Sequence, residues 1–228
     1  MTGARSGLSL CALAFTLYIR MRCRAHTWGY MKIIAGFILT TLLASALAAQ
    51  DLPANPIQKG TWELGLFSGG GIGLGKSDNT QFFYAGGRAG RVLTSDHLSG
   101  IFRGNFEWAV DVMPIYVVFP PESAVYGGSI KPAIWEWNFT SWNKIVPYFA
   151  AEGGVVFSRS NIPPGDTSQI NFTPGAAFGA HVFVKPKRAL LFEMEFGHLS
   201  SASLGTHNPG YNGTFTFTVG YSWFKGHN

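Results

Sequence analysis

Thr214-Phe215-Thr216-Phe217-Thr218-Val219-Gly220-Tyr221-Ser222-Trp223-Phe224 is the stretch that decides the fold. Its odd positions read Phe215, Phe217, Val219, Tyr221, Trp223, and its even positions Thr214, Thr216, Thr218, Gly220, Ser222. Side chains alternate across a strand, so one face is apolar and the other small and polar. The same period of two runs through Phe102 to Met113, where Phe102, Gly104, Phe106, Trp108, Val110 and Val112 oppose Arg103, Asn105, Glu107, Ala109, Asp111 and Met113. It returns in Ile170 to Phe183, with Ile170, Phe172, Phe178 and Val182 on one face and Asn171, Thr173, Gly179 and His181 on the other. From residue 60 onward no apolar run of period 3.6 is long enough, and free enough of Gly, Pro and β-branched residues, to make a helix.

Turn residues divide the rest into eight such segments, near 60–68, 80–92, 101–117, 125–137, 144–158, 167–183, 188–200 and 213–224. The connections at Ser68–Asn79, Phe119–Ala124, Arg159–Asp166 and Ser201–Asn212 are rich in Gly, Pro, Asn and Ser, and they alternate with tighter ones. An even count of strands this long predicts an all-β fold, an eight-stranded antiparallel transmembrane β-barrel. A lumen of eight strands holds only side chains, which accounts for Gly65, Gly86, Gly90, Gly175, Gly179 and Gly220 on the polar face. Glu63, Arg88, Arg103, Glu107, Asp111, Glu193 and Glu195 are then candidates for an internal, structural charge network. A secreted soluble barrel with its apolar face inward fits the alternation equally well. Two features favour the membrane. Only 13% of residues are charged, too few to cover a water-facing surface. Trp62, Trp108, Trp135, Trp137, Trp142, Trp223, Tyr116, Tyr148 and Tyr221 lie mostly toward strand ends, where interfacial girdles sit.

The 228 residues carry 17 Lys and Arg against 12 Asp and Glu. The excess sits entirely in Arg5, Arg20, Arg22, Arg24 and Lys32, all before residue 50, and the remainder is balanced. A nucleic-acid-binding patch therefore has no support. Both cysteines, Cys11 and Cys23, lie there too, which removes disulfide frameworks, cysteine zinc sites and thiol nucleophiles from the rest. Met31-Lys32, the apolar run Ile33 to Leu43 and Ala44-Ser45-Ala46-Leu47-Ala48-Ala49 read as a secretory signal peptide. Residues 1–49 are thus expected to be extension and leader, with Met31 the probable true start, 50–59 a periplasmic N-terminal segment, and 60–228 the barrel.

Gly70-Gly71-Ile72-Gly73-Leu74-Gly75-Lys76-Ser77 spells a phosphate-loop pattern. A phosphate loop needs a helix to follow, and Gln81-Phe82-Phe83-Tyr84 reads as a strand, so no nucleotide partner is expected. The sequon matches at Asn138, Asn171 and Asn212 are read as chance. His97, His181, His207 and His227 show no metal spacing, and His181 reads as a lumen residue with a hydrogen-bond partner. No metal or other cofactor is called for.

The seventh segment carries the chemistry. Phe192, Met194, Phe196, His198 and Ser200 share one face, and Glu193, Glu195 and Gly197 the other. Carboxylates facing hydrocarbon are costly, so the acids take the lumen and His198 and Ser200 the lipid side. With both termini periplasmic, the pair tops an outward-running strand at the outer-leaflet headgroups. Residues i and i+2 stand on one face within hydrogen-bond reach, and His beside Ser is the minimal unit for activating a serine nucleophile. On the tripeptide alone, an interfacial His and Ser at the rim fit as well.

His198-Leu199-Ser200-Ser201-Ala202, then His207-Asn208-Pro209-Gly210-Tyr211-Asn212 and a last strand ending Gly220-Tyr221-Ser222-Trp223-Phe224, resembles the lipid A 3-O-deacylases of the PagL type. The resemblance covers about residues 190–224. It implies an eight-stranded barrel of the bacterial outer membrane that removes an ester-linked 3-hydroxyacyl chain from lipid A of lipopolysaccharide. Ser200 would be nucleophile, His198 general base and Asn212 the residue orienting His198, with Ser201 and Ala202 in the oxyanion vicinity. Ser201 stands where the family motif has Asn, and no Asp or Glu follows Glu195. An Asn orients an imidazole through its side-chain oxygen without supplying charge. A homodimer is left open. The rival reading is a non-catalytic small barrel, structural or adhesive, presenting loops Ser68–Asn79 and Arg159–Asp166; a soluble barrel binding an apolar ligand ranks third.

Overall fold

The alternation resolves into nine strand segments: β1 (Trp62–Gly75), β2 (Gln81–Val92), β3 (Gly104–Phe119), β4 (Val125–Phe139), β5 (Ile145–Ile162), β6 (Ser168–Phe172), β7 (Gly175–Lys185), β8 (Arg188–His198) and β9 (Asn212–Lys225). The computed structural model describes residues 55–75, 77–121, 123–162, 168–202, 204–205 and 212–226. The leader expected over 1–49 lies outside them, as do residues 206–211 and the tip of the 159–166 connection. β6 and β7 are one stave, interrupted at Thr173-Pro174, and β5 pairs with both. All pairings are antiparallel; β4 joins β5, and β1 joins β9, so the sheet closes into a barrel of eight staves.

Burial shows which face is which. On β9, Thr216, Thr218, Ser222 and Phe224 are buried, whereas Phe217, Val219 and Trp223 are exposed. On β3, Asn105, Glu107 and Asp111 are buried and Phe106, Trp108 and Val112 exposed. Polar side chains fill the inside and an apolar belt covers the outside, as a bilayer requires. One register row runs Lys225, Trp62, Arg91, Trp108, Trp135 across five strands near the end that carries the termini. Arg91 lies 5.0 Å over the Trp62 ring in that row.

The interior is layered. Near the terminal end, Ile57 packs with Val92, Val146, Phe183, Ala189 and Phe224. Near the opposite end, Phe67, Phe82, Tyr84, Met113, Tyr116, Val156 and Leu199 form a second apolar layer. Between them lies a charged band. Arg88 grips Asp111 with two hydrogen bonds, at 2.8 and 3.0 Å, and Glu193 with a third at 3.1 Å. The Tyr148 hydroxyl donates to Glu193 at 2.6 Å. Lys131 Nζ lies 2.6 Å from Glu152 and 2.7 Å from Glu195. His181 Nε2 is 3.5 Å from Glu136.

Several expectations change. Arg103 is not in the band: β3 starts at Gly104, and Arg103 pairs with Asp96 at 3.5 Å, half exposed, in the 93–103 connection. Lys131, Glu136 and Glu152 belong to the band instead. Tyr116 and Tyr148 are not girdle residues but point inward. The stretch Gly69 to Gly75 is strand rather than loop, paired with both β2 and β9. Its glycines serve close approach: a Cβ on Gly71 would strike the Phe215 carbonyl, and one on Gly73 the Ser77 carbonyl. The phosphate-loop pattern is therefore the end of β1, with Ser77 already in the turn that leads to β2. Asn138, Asn171 and Asn212 are all buried.

Removing one member of a buried charge cluster strands the others, at a cost of about 3–5 kcal/mol. Arg88→Met is expected to lower stability by that order in urea unfolding of the barrel from lipid vesicles. Arg103→Met, at an exposed pair, should shift it by less than about 1 kcal/mol.

Candidate functional site

At the end of the barrel opposite the termini, three staves meet. β8 ends at His198, β9 begins at Asn212, and β6 ends at Phe172. Proline has no N–H to give the ladder, and at Pro174 the sixth stave breaks. The chain beside it uses what remains: His198 N–H donates to the Pro174 carbonyl at 2.9 Å, and Ser200 and Phe172 exchange both main-chain hydrogen bonds, at 2.9 and 2.7 Å. The β8 alternation carries through this rung. Glu193 and Glu195 are buried, Met194 and Phe196 exposed, and Leu199 joins the inner apolar layer. His198 and Ser200, half-buried, flank Leu199 in the outward phase.

His198 Nδ1 lies 3.1 Å from the main-chain carbonyl oxygen of Asn212. A carbonyl only accepts, so Nδ1 carries the proton and Nε2 the lone pair. The same carbonyl accepts Leu199 N–H at 2.9 Å. The Asn212 side chain goes elsewhere: it is buried, and its Oδ1 accepts the Ser77 hydroxyl at 3.1 Å. Asn212 thus meets His198 through its main chain rather than its side chain. Ser77, which sequence reasoning had set aside with the glycine-rich stretch, ties the β1–β2 turn to that residue.

After Ser200 the chain turns. Ala202 has φ +47°, and its N–H donates to Ser200 Oγ at 3.3 Å. The Ser201 carbonyl accepts Leu204 N–H at 2.9 Å. Ser201 is half-buried and Ala202 exposed. Toward the barrel's waist the surface is apolar, with the Phe196 and Phe215 rings 4.8 Å apart and Phe172 and Met194 exposed beside them. A polar His/Ser rung sits directly above a hydrocarbon-facing patch, suited to a molecule that is polar at one end and acyl at the other. His207 to Tyr211, part of the segment that resembles the deacylases, lies outside the described residues.

An eight-stave barrel with a belt of exposed apolar side chains and a sealed, charged lumen is a barrel of the outer-membrane type. The family model for lipid A 3-O-deacylase (PagL) matches residues 20–222, and the chain belongs to that family. It is a bacterial outer-membrane barrel of a family of lipid A deacylases. Solved structures similar to it include the outer membrane enzyme PagL, at 15% identity over 70% of this chain and 98% of that one, TM-score 0.48. The N-terminal barrel domain of Pseudomonas aeruginosa OprF is similar at 13% identity over 72% and 98%, TM-score 0.43. OprG from the same organism is similar at 8% over 78% and 100%, TM-score 0.42. No curated protein matches the chain.

The main-chain contact at Asn212 makes a spectroscopic prediction. Nitrogen-15 NMR of the refolded barrel, with His198→Gln for assignment, should show His198 protonated at Nδ1 and bare at Nε2 when neutral. The opposite tautomer would contradict the contact.

Proposed function

We propose that the barrel hydrolyses an ester-linked 3-hydroxyacyl chain of lipid A in the outer leaflet, with Ser200 as nucleophile and His198 as general base. The observation that carries this reading is the hydrogen bond from His198 Nδ1 to the Asn212 carbonyl, two residues before Ser200 along the chain. That bond leaves Nε2 as the basic nitrogen, and parity puts His198 on the strand face that Ser200 shares.

With the end where β1 begins and β9 finishes taken as periplasmic, the His198–Ser200 segment stands at headgroup depth with acyl chains against Phe172, Phe196 and Phe215. Ser200 Oγ attacks the ester carbonyl while His198 Nε2 takes its proton. Negative charge develops on the carbonyl oxygen, and the donors proposed to receive it are the main-chain N–H of Ser201 and that of Ala202, which without substrate donates to Ser200 Oγ. The proton passes to the departing sugar oxygen, leaving an acyl-serine. His198 then deprotonates a water, which cleaves that ester and releases a 3-hydroxy fatty acid. The Asn212 carbonyl holds the imidazole in one tautomer and orientation; it lends the transient imidazolium a dipole rather than a full charge.

A second reading has its own support. The Asn212 side chain is engaged with Ser77, and no Asp or Glu follows Glu195 in the sequence, which fits a non-catalytic, structural or adhesive role. Refolded barrel incubated with lipid A separates the two. Wild type should remove one 3-hydroxyacyl mass from the lipid, and Ser200→Ala none. His198→Ala should slow the reaction roughly 10²–10⁴-fold, the usual worth of a general base. Asn212→Ala keeps the carbonyl and should stay within about tenfold of wild type. Equal activity in wild type and Ser200→Ala would sink the mechanism; none in either would favour the inert barrel.

A further inference from the structure

We infer that the outer surface of β3, β4 and β5 holds a second lipid subsite, a groove that takes another acyl chain of a phosphorylated glycolipid while Arg159 binds its phosphate. This rests on the deacylase reading for the identity of the lipid, and on separate residues for the site.

The groove arises from Pro114. A proline within a central strand cannot donate to the ladder and forces a bulge; the β3–β4 register slips between Met113 and Tyr116. Across the bulge β4 offers Gly128, which pairs with Phe157. Gly128 lies between the exposed Tyr126 and Ile130 in the outward phase, so the outer surface there lacks a side chain. A Cβ at Gly128 would find the Met113 carbonyl at 3.4 Å and the Pro114 carbonyl at 3.9 Å, so the gap is not required by packing. Beside the bulge lies an open groove of about 500 Å³, whose lining includes Pro114, Ile115, Tyr126, Gly127, Phe157 and Arg159. That volume falls within the range of small-molecule sites. Ile115, Tyr126 and Phe157 are all exposed to the bilayer.

Charge selects the occupant. Arg159 stands two residues beyond Phe157 toward the loop end, about 7 Å further along the strand, and is exposed. An apolar groove capped by a guanidinium matches an acyl chain capped by phosphate, the pairing for which arginine's planar fork is suited. The groove is also continuous with the candidate site. Ser200 bridges to Phe172, Phe172 pairs with Val155, and one rung above, Ile170 pairs with Phe157. Two staves, roughly 10 Å at normal strand spacing, separate Ser200 from the groove's near wall. A phosphorylated disaccharide bearing several chains side by side can lay one ester at Ser200 and another chain in the groove.

The test uses Ser200→Ala barrel in phosphatidylcholine nanodiscs doped with bisphosphorylated lipid A, retention being counted by native mass spectrometry. Adding Arg159→Glu should lower lipid A retention about tenfold, the worth of a charge-assisted contact, while leaving retention of dephosphorylated lipid A unchanged. Phe157→Ala, which removes an exposed wall of the groove, should weaken both lipids. In active protein, Arg159→Glu should raise KM more than it lowers kcat. Retention unchanged by both substitutions overturns the subsite, and so does equal displacement of lipid A by phosphatidylglycerol. If wild type proves unable to deacylate but Arg159→Glu still loses lipid A, the subsite stands and the proposed reaction falls.

Discussion

Hydrocarbon offers no hydrogen-bond partner, so every main-chain N–H and C=O at membrane depth must be paired within the protein. A sheet meets that demand only by closing. Here the closing seam is β1 on β9, registered without slippage from Trp62 opposite Lys225 to Gly75 opposite Asn212. The candidate site hangs from the last rung of that seam: the Asn212 carbonyl, no longer needed by β1, accepts from Leu199 N–H and His198 Nδ1. Gly71 belongs to the same constraint, since a side chain there would strike the Phe215 carbonyl and push the seam apart, whereas one at Gly73 would strike the turn at Ser77.

Closure turns the sheet inside out, and the lumen must then hold charges away from water. Lys131 and Arg88 each bridge more than one carboxylate, and apolar layers lie toward both ends of the band. Such a band is costly unless its members satisfy one another, so the geometry of β2, β3, β4, β5, β7 and β8 is tied to the pairing of a few side chains. The interior leaves little freedom, and chemistry with a lipid falls to the outer face and the rim.

Most of this was legible in the sequence where the alternation was unbroken. Thr214 to Phe224 and Phe192 to Ser200 gave the right phase by parity alone, and Glu193 with Glu195 fixed which phase faces inward. Parity failed where a strand bulges. β4 slips between Ile130 and Ala133, so Lys131 is inward as an odd position and Glu136 as an even one, and no single period connects them. The Pro114 bulge does the same to β3 and hides Tyr116. Tyr148 was readable after all, because it shares the phase of Glu152. Arg103 shares the phase of Asn105 and Glu107 but lies one residue before the strand, and a strand's start is set by pairing that the local sequence does not display.

The role of Asn212 was beyond sequence for a different reason. Reading residues finds side chains, and here the group that meets His198 is a carbonyl that every residue possesses. This bears on the missing acid. A carboxylate beside a catalytic histidine does two things: it fixes the tautomer and it stabilises the imidazolium. A carbonyl does the first without ambiguity, because it has no proton to donate and no second protonation state, whereas an Asn side chain can present either oxygen or NH2. It does the second only in part. Under the proposed mechanism the geometry of catalysis is therefore independent of the side chain at 212, and the cost of lacking an acid is confined to charge.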